Sequence, residues 1–354
     1  MLKQTPLYAE HKKLNAKFTE FGGWDMPVMY TSIIEEHNAV RTNAGIFDTS
    51  HMGTFIISGD NAGKFLDYVT ISKMSDLPLY KARYSMLLNE NGGIKDDIIV
   101  YKFENYYMVV VNAGNLDKDF KWLNDHIISG VEIKNISADI CLLALQGAQS
   151  VKIISELIEE DASAMKYFTG KDVKFKNMQP EFSKIARTGY TGEDGFEIFI
   201  SKNEASSIWN KILEAGAKPC GLGCRDTLRL EACMPLHGHE IDENITPLDA
   251  GFEKTISWDK DFIGKSALDK NEISKKLIAF ICEGSIARNG NKVFSDGKEI
   301  GYVTSGTFSP TFKKAIGLAL VDFNTDENKQ LQISIHNNMR NIKIVQKPFY
   351  RRGK

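Results

Sequence analysis

YSMLLNENGGIKDDIIVYKFENYYMVVV, residues 84–111, reads as three strands in succession. Tyr84 to Leu88 is the first. Asn89-Glu90-Asn91-Gly92-Gly93 is a hairpin turn, because Asn and Gly tolerate positive φ. Ile94 to Phe103 is the second strand, Glu104-Asn105 turns again, and Tyr106 to Val111 is the third. Strands joined by such short turns form an antiparallel meander.

Outward from the meander the chain alternates helices and strands. Residues 32–44, SIIEEHNAVRTNA, predict a helix: Ile33, Ile34, His37 and Val40 recur near the helical period, and Ser32 caps with Glu35 three positions on. Gly45 is expected to close it, and Gly53 to Ile57 to form a strand. Helical stretches are expected near 149–160, 204–215 and 224–232, with a hairpin between Lys184–Arg187 and Phe196–Ile200. From 276 to 350 the character changes. Short apolar runs (277–281, 300–304, 315–321, 331–335, 343–346) alternate with Gly, Asn and Asp, the pattern of a small all-β barrel or sandwich. The boundary falls in the Lys-rich stretch 270–276. The expected units are 1–140, 141–275 and 276–354.

The chain has 354 residues, enough for two or three domains. A hydrophobic share of 42% and a charged share of 25% are those of a folded globular protein. No window approaches the run of about 18 apolar residues that a membrane span needs. The opening MLKQTPLYAEHKK lacks an apolar signal segment. Forty-four Lys and Arg against 46 Asp and Glu leave a net charge of −2, which argues against a general nucleic-acid binder. Five Cys, an odd count, read as reduced thiols in a cytosol.

The nucleotide and hydrolase fingerprints are absent: no GxxxxGK[ST], no GxGxxG between strand and helix, no GxSxG and no HExxH. Asp96-Asp97, inside an apolar strand, is the first candidate, since acids are depleted in strands. Alternation puts the two carboxylates on opposite faces. Asp97 falls with Ile99, Tyr101 and Phe103, and Asp96 with Ile94, Ile98 and Val100. A carboxylate beside aromatic rings suits a flat, hydrogen-bonding heterocycle; the plain alternative is a turn-proximal pair facing water. Glu197, after the Gly-rich turn Thr188–Gly195, alternates onto the side of Phe199 and could take two parallel N–H donors, or face solvent. Arg225 and Arg229 share a helix face at i,i+4, which suits an anion or internal salt bridges. Cys220, Cys224, Cys233, His237 and His239 are a rival metal set, at a spacing that matches no common zinc pattern. His51 is a candidate general base or a structural histidine. The tail Lys347–Lys354 is either a basic docking patch or a frayed terminus.

Ten motifs then occur in a familiar order: FGGWDMPVMY (21–30), AVRTNAGIFDTSHMG (39–53), NENGGIKDDIIVYK (89–102), VVNAGNLDKD (110–119), ALQG (144–147), RTGYTGEDGFE (187–197), GCRDTLRLEA (223–232), DEN (242–244), VTSGTFSP (303–310) and PFY (348–350). The whole chain resembles the aminomethyltransferases of the glycine cleavage system, the T-proteins. The resemblance implies an α+β fold: a three-domain cloverleaf with a central folate-binding hole and a C-terminal small β-barrel. It implies transfer of the methylene carbon of an aminomethyl group, carried on the dihydrolipoyl arm of the H-protein, to tetrahydrofolate. The products would be 5,10-methylenetetrahydrofolate, ammonia and dihydrolipoyl H-protein. No metal, nucleic acid or membrane would be involved, and the location would be cytoplasmic.

Carried over by motif, the catalytic aspartate is Asp97, the second of the pair, which leaves Asp96 the lesser role. Glu197 and Arg225 would bind folate. Tyr84, Tyr101, Asn112, Tyr190 and Met52 would line its site, and Tyr350 is the nearest match to a C-terminal tyrosine that contributes in some members. One carboxylate near the reacting nitrogens can orient folate, stabilise a cationic intermediate and accept a proton. Two other readings share the superfold. One is a folate-dependent demethylase of a small methyl donor. The other is a folate-binding accessory protein of iron–sulfur assembly, whose Cys-containing segment is here Arg187–Glu193, without Cys.

Overall fold

The computed structural model describes residues 1–270 and 272–353. Asn271, in the expected boundary stretch, and Lys354, at the end of the basic tail, lie outside the described residues.

The meander is the edge of a five-stranded antiparallel sheet in the order Ala82–Leu88, Ile94–Lys102, Tyr106–Val111, Gly53–Ser58, Glu132–Asn135. One face carries Phe55, Ile57, Ile98, Val100 and Val109, packed under helices Ala62–Val69 and Leu116–Asp125. The other face carries Tyr101, Phe103, Met108 and Val110 and meets a second sheet through Leu142, Ala186 and Phe199. The second sheet runs Gly170–Asp172, Ser183–Ala186, Gly195–Ser201, Ile140–Gln146, Gly45–Asp48, Lys218–Pro219, with only the last pair parallel. Its far face, with Leu143, Leu145, Phe196 and Ile198, is covered by helices Ser150–Leu157 and Ala205–Glu214.

The six strands from Lys275–Cys282 to Asn338–Val345 close into a barrel. Ile278, Phe280 and Val303 fill its interior. Their alternates Leu277 and Ala279, with Leu318 and Leu320, pack outward on Met86, Leu88, Ile94 and Leu230. The barrel is thus seated on the meander's first hairpin and on helix Leu222–Glu231.

Three sequence expectations change. Helix Ile33–Thr42 starts on its Ser32 cap, with Glu35 N–H donating to Ser32 Oγ, but it ends at Asn43, and Gly45 begins a strand. That strand, from the expected first unit, sits inside the second sheet, between Ile140–Gln146 and Lys218–Pro219, so the first unit lends a strand to the second sheet. In the barrel, the expected runs leave out a sixth strand, Lys292–Ser295, which is too short and polar for a periodic signal.

Candidate active site

The alternation argument for the Asp pair runs into a bulge. Leu87 pairs with Asp96 and Leu88 with Ile94, so Lys95 is unpaired. The extra residue turns Ile94 to the side of Met86 and Leu88, while Asp96 stays with Ile98 and Val100 beneath helix Leu116–Asp125. Ile94 therefore does not share the face of Asp96. Asp97 keeps the face of Ile99 and Tyr101 and opens on a cavity of about 420 Å³ where the two sheets meet helix Leu222–Glu231.

Asp96 does not face water. It is fully buried and accepts hydrogen bonds from the Asn112 N–H (2.9 Å), Asn112 Nδ2 (2.8 Å) and Asn115 Nδ2 (2.6 Å). Asn112 Nδ2 also donates to Asp97 Oδ1 at 2.7 Å, and the Tyr84 hydroxyl donates to Asp97 Oδ2 at 3.0 Å. One amide thus bridges both carboxylates. Burial, then the neighbouring charge of Asp96, push the Asp97 carboxyl up to about 7, against the opposing donors Tyr84 and Asn112. A carboxyl in that range gives and takes protons near neutrality.

Opposite Asp97, strand Gly195–Ser201 presents Glu197. The Tyr101 hydroxyl (3.0 Å) and the Thr188 hydroxyl both donate to Glu197 Oε2, Glu197 lines the cavity, and no donor among the described residues reaches its Oε1. Tyr101 itself is buried behind Glu197 and positions it. Helix Leu222–Glu231 supplies Arg225, whose guanidinium lies 4.7 Å from the Tyr190 ring centroid. Its Nη1 is buried without a hydrogen-bond partner among the described residues, and burial pulls its proton affinity down. A cavity-lining guanidinium with a buried, unpaired nitrogen suits a ligand that brings an acceptor. The Tyr190 hydroxyl donates to Pro235 O and ties the Gly-rich turn to the opposite wall.

Helix Leu222–Glu231 can approach this closely because Gly221 and Gly223 have no side chain. A Cβ on Gly221 would meet Val28 C at 2.4 Å, and one on Gly223 would meet Ile33 Cγ1 at 2.7 Å. The helix ends on Cys233, in the left-handed region at φ 53°, and the chain turns there so that Met234, Pro235 and Leu236 wall the cavity.

Met52, Tyr84, Asn112 and Tyr190 line the cavity with Asp97, Glu197 and Arg225. Tyr350 does not line it. It stacks 3.8 Å from the Arg41 guanidinium, and its N–H donates to Glu231 O at 2.8 Å. Arg352 pairs with Asp194 at 3.2 Å and Lys347 Nζ donates to Leu277 O, so the tail is fastened rather than frayed. Arg229, unlike Arg225, is spent on internal partners: Asp226, Glu240 and Ser305. Among the described residues the five ligands of the rival metal reading do not come together. Cys220 and Cys224 converge with Glu36, whose carboxylate already accepts from the N–H groups of Tyr30, Thr31 and Gly221. His237 and His239 instead face Ile94 O and Thr304 O. His51 lines the cavity wall but is buried, and burial, with Arg225 nearby, holds it down to about 4. It is neutral at physiological pH.

Sequence reasoning missed the apolar walls Phe21 and Leu236 and the support of Asn115 behind Asp96. The Asn115 signal was present: it stands three residues after Asn112 at the start of a helix, a spacing that returns to one face.

The family description GCVT N-terminal domain matches residues 7–260, and Glycine cleavage T-protein C-terminal barrel domain matches residues 275–351. The chain is 44% identical to an aminomethyltransferase of Geobacillus sp. (strain WCH70), covering 100% of both chains. It is 47% identical to the aminomethyltransferase of Caldanaerobacter subterraneus subsp. tengcongensis, covering 99% of this chain and 97% of the relative. The crystal structure of glycine cleavage system aminomethyltransferase T from Bartonella henselae superposes with a TM-score of 0.92 at 32% identity, over 99% of this chain and 98% of that one.

Proposed function

Because the chain belongs to the glycine cleavage T-protein family, we propose that the cavity between its two sheets and helix Leu222–Glu231 is where tetrahydrofolate meets the aminomethyl group, with Asp97 at the reacting atoms. The enzyme is an aminomethyltransferase of glycine catabolism. It passes the methylene carbon from the dihydrolipoyl arm of the H-protein to tetrahydrofolate, giving 5,10-methylenetetrahydrofolate, ammonia and dihydrolipoyl H-protein.

The site fits that co-substrate. Its volume lies in the range of small-ligand pockets, roughly 300–1,000 Å³. Glu197 Oε1 is open to paired N–H donors, Arg225 Nη1 lacks an acceptor, and Phe21 and Phe252 offer flat apolar walls. Tetrahydrofolate, when bound, supplies the two nitrogens that take up the carbon. The chain's own residues do the rest. Glu197 and Arg225 orient the ligand. The apolar walls exclude water from a carbon that water would otherwise capture. Asp97, held by Tyr84 and Asn112, carries the proton and stabilises positive charge as it develops. The observation that carries this reading is the placing of Asp97, Glu197 and Arg225 on one cavity, from three elements far apart in sequence.

Among the described residues no helix is long and apolar enough to cross a membrane. All five cysteines are free, which suits a reducing cytoplasm, the location we assign. The three units 1–140, 141–275 and 276–354 stay part of this proposal, with strand Gly45–Asp48 lent to the second.

The test is an assay with aminomethylated H-protein and tetrahydrofolate that follows ammonia and methylenetetrahydrofolate. Activity on free methylamine donors without H-protein would overturn the reading. Glu197→Gln and Arg225→Ala are each expected to weaken tetrahydrofolate binding by calorimetry by about 1.5–3 kcal/mol, the loss for a charged hydrogen-bond partner. Unchanged affinity in both would remove them from the site.

A further inference from the structure

The Gly-rich turn lies between strands Ser183–Ala186 and Gly195–Ser201 and carries Tyr190 on the cavity wall. Its inner anchors come from the neighbouring strand: Thr191 Oγ1 donates to Gln146 Oε1 at 2.9 Å, and the Gly147 N–H donates to Asp194 O at 2.8 Å. Its outer side is held by two groups from distant parts of the chain. Arg41, on helix Ile33–Thr42, donates through Nη1 to Thr191 O at 2.8 Å and to Glu193 Oε1 at 3.0 Å. Arg352, in the tail, pairs with Asp194 Oδ2 at 3.2 Å, beside the two bonds that Asp194 accepts from Arg187.

The tail also covers Arg41. The Nε and Nη2 of its guanidinium donate to Glu231 at 3.2 and 2.8 Å, so its edges are taken by the turn and by the helix that carries Arg225. The Tyr350 ring lies on one face, its centroid 3.8 Å from Arg41 Cζ. A stacked ring keeps water from the ion pairs beside it, and a drier setting strengthens them. The Arg41 and Glu193 side chains are only 7% and 3% exposed. Gly192, at φ 79°, lets the turn pass beneath the tail: a Cβ there would stand 3.0 Å from Ala232 Cβ and 3.5 Å from Tyr350 Cδ1. The tail is itself fastened by the Tyr350 N–H on Glu231 O and by Lys347 Nζ on Leu277 O, both at 2.8 Å.

Arg41 and Arg352 thus both end on residues 191–194, and the turn they fix touches the cavity's binding groups. Thr188 donates to Glu197, Tyr190 stands 4.7 Å from the Arg225 guanidinium, and the Tyr190 hydroxyl donates to Pro235 O. Tyr350 and Arg352 themselves stand outside the cavity lining. We propose that Tyr350 and Arg352 are positioning residues for tetrahydrofolate: the tail is the outer half of a clamp, closed on Arg41, that holds the Gly-rich turn and Tyr190 in place against the ligand. This rests on the reading of the cavity as the tetrahydrofolate site. Linkage makes the effect mutual, so a ligand that needs the turn in place also steadies the tail.

The test joins hydrogen exchange to calorimetry on the full chain. In the ligand-free double variant Tyr350→Leu, Arg352→Gln, amide exchange over 188–195 is expected to quicken about five- to tenfold, from the loss of one stacked cation and one half-exposed ion pair. Exchange in barrel strand Lys275–Cys282 should stay as in the wild type. Tetrahydrofolate should bind about five- to tenfold more weakly, with its KM rising by the same factor and kcat within about twofold of wild type. Tyr350→Phe with Arg352→Lys keeps the stack and the charge and should restore both readouts. In the wild type, bound tetrahydrofolate should slow exchange of the Tyr350 N–H, a measurement that needs no variant to fold. Wild-type exchange over 188–195 in the double variant, unchanged tetrahydrofolate affinity, or a Tyr350 N–H indifferent to the ligand would overturn the proposal. A KM raised for the H-protein alone would also overturn it, by making the tail a docking patch. A wild type that binds no tetrahydrofolate would instead overturn the reading of the cavity, and the ligand-free exchange would still decide whether the tail clamps the turn.

Discussion

At Asp97 two effects oppose two others. Burial and the adjacent charge of Asp96 disfavour its carboxylate, while Tyr84 and Asn112 favour it, and the first pair wins. A carboxyl raised above its ordinary value costs stability when ionised. That stability is present below the unfolded value of about 3.9 and is lost as pH rises through about 7. Asp97→Asn removes this cost, so turnover should fall at least about tenfold with no loss of melting temperature. Asp96→Asn should do the reverse of what strand alternation alone suggests. It puts an amide N–H against three donors in a buried pocket, so it should lower stability by about 3 kcal/mol and disturb Asp97 through Asn112. Thermal melts beside single-turnover rates separate the two; equal melting temperatures would contradict the assignment. His51 gives a second pH prediction. Its folded value, about 4, lies below the unfolded value, so its neutral form is the stabilising one. Stability is complete above about pH 6.5 and is lost as pH falls toward 4. His51→Gln should flatten that acid-side loss in urea titrations run across this window.

The elements carry the site through close contacts of backbone. The hairpin turn before Asp96 is held by Asn89, whose Oδ1 accepts from the Asn91 and Gly93 N–H groups, and by Asn89 Nδ2 donating to Glu243 O. The Ile94 N–H donates to Asp242 O and Ile245 O, so the segment that leads on from the cavity wall is stitched to the strand that carries the aspartates. Gly93 makes this approach possible: a Cβ there would meet Glu243 O at 1.9 Å, a backbone atom that cannot step aside. Gly93→Ala should therefore destabilise by about 1–3 kcal/mol. It should also lower turnover, because the bulge at Lys95 that aims the aspartates begins one residue away. A melting temperature equal to wild type would show that segment 242–245 is not held as described.

Across the whole molecule, helix Leu222–Glu231 joins everything. One side carries Arg225 into the cavity, and its last residue, Glu231, fastens the barrel. Fully buried Glu231 accepts from Ser309, from Thr311 N–H and Oγ1, and from Arg41, with His37 Nε2 at 3.3 Å. Burial pushes its carboxyl up, but His37, Ser309 and Arg41 together outweigh burial and hold it down to about 2. Its contribution is present above the ordinary glutamate value and is lost only as pH falls toward 2. Glu231→Ala leaves Arg41 with Glu193 as its remaining carboxylate, and His37, Ser309 and Thr311 without the shared one, and should cost about 3 kcal/mol. Limited proteolysis should then cut first near 270–276, between the matched N-terminal region and the barrel. An unchanged cleavage pattern would mean that the barrel is held by its apolar seat on Met86, Leu88 and Leu230 alone.

What the residues alone determined was local and periodic. The meander at 84–111, the helix capped by Ser32, the hairpin into Glu197 and five of the six barrel strands follow from alternation, caps and turn chemistry, because those signals lie within a few residues of each other. The ordered motifs carried the family and pointed to Asp97, Glu197 and Arg225, which line one cavity. Other facts depended on parts of the chain meeting. The bulge at Lys95 reverses Ile94, and only the partner strand reveals it. Strand Gly45–Asp48 leaves its sequence neighbours because its apolar side chains complete a sheet formed mainly by later residues. Tyr350 was placed in the site by motif, yet it stacks on Arg41 and its N–H donates to Glu231 O, half-buried against surface that forms only in the finished fold. The setting of the aspartate pair, Asp96 buried under the donors of Asn112 and Asn115 and Asp97 raised by burial on the cavity side, is likewise a property of packed surroundings, which no spacing along the chain encodes.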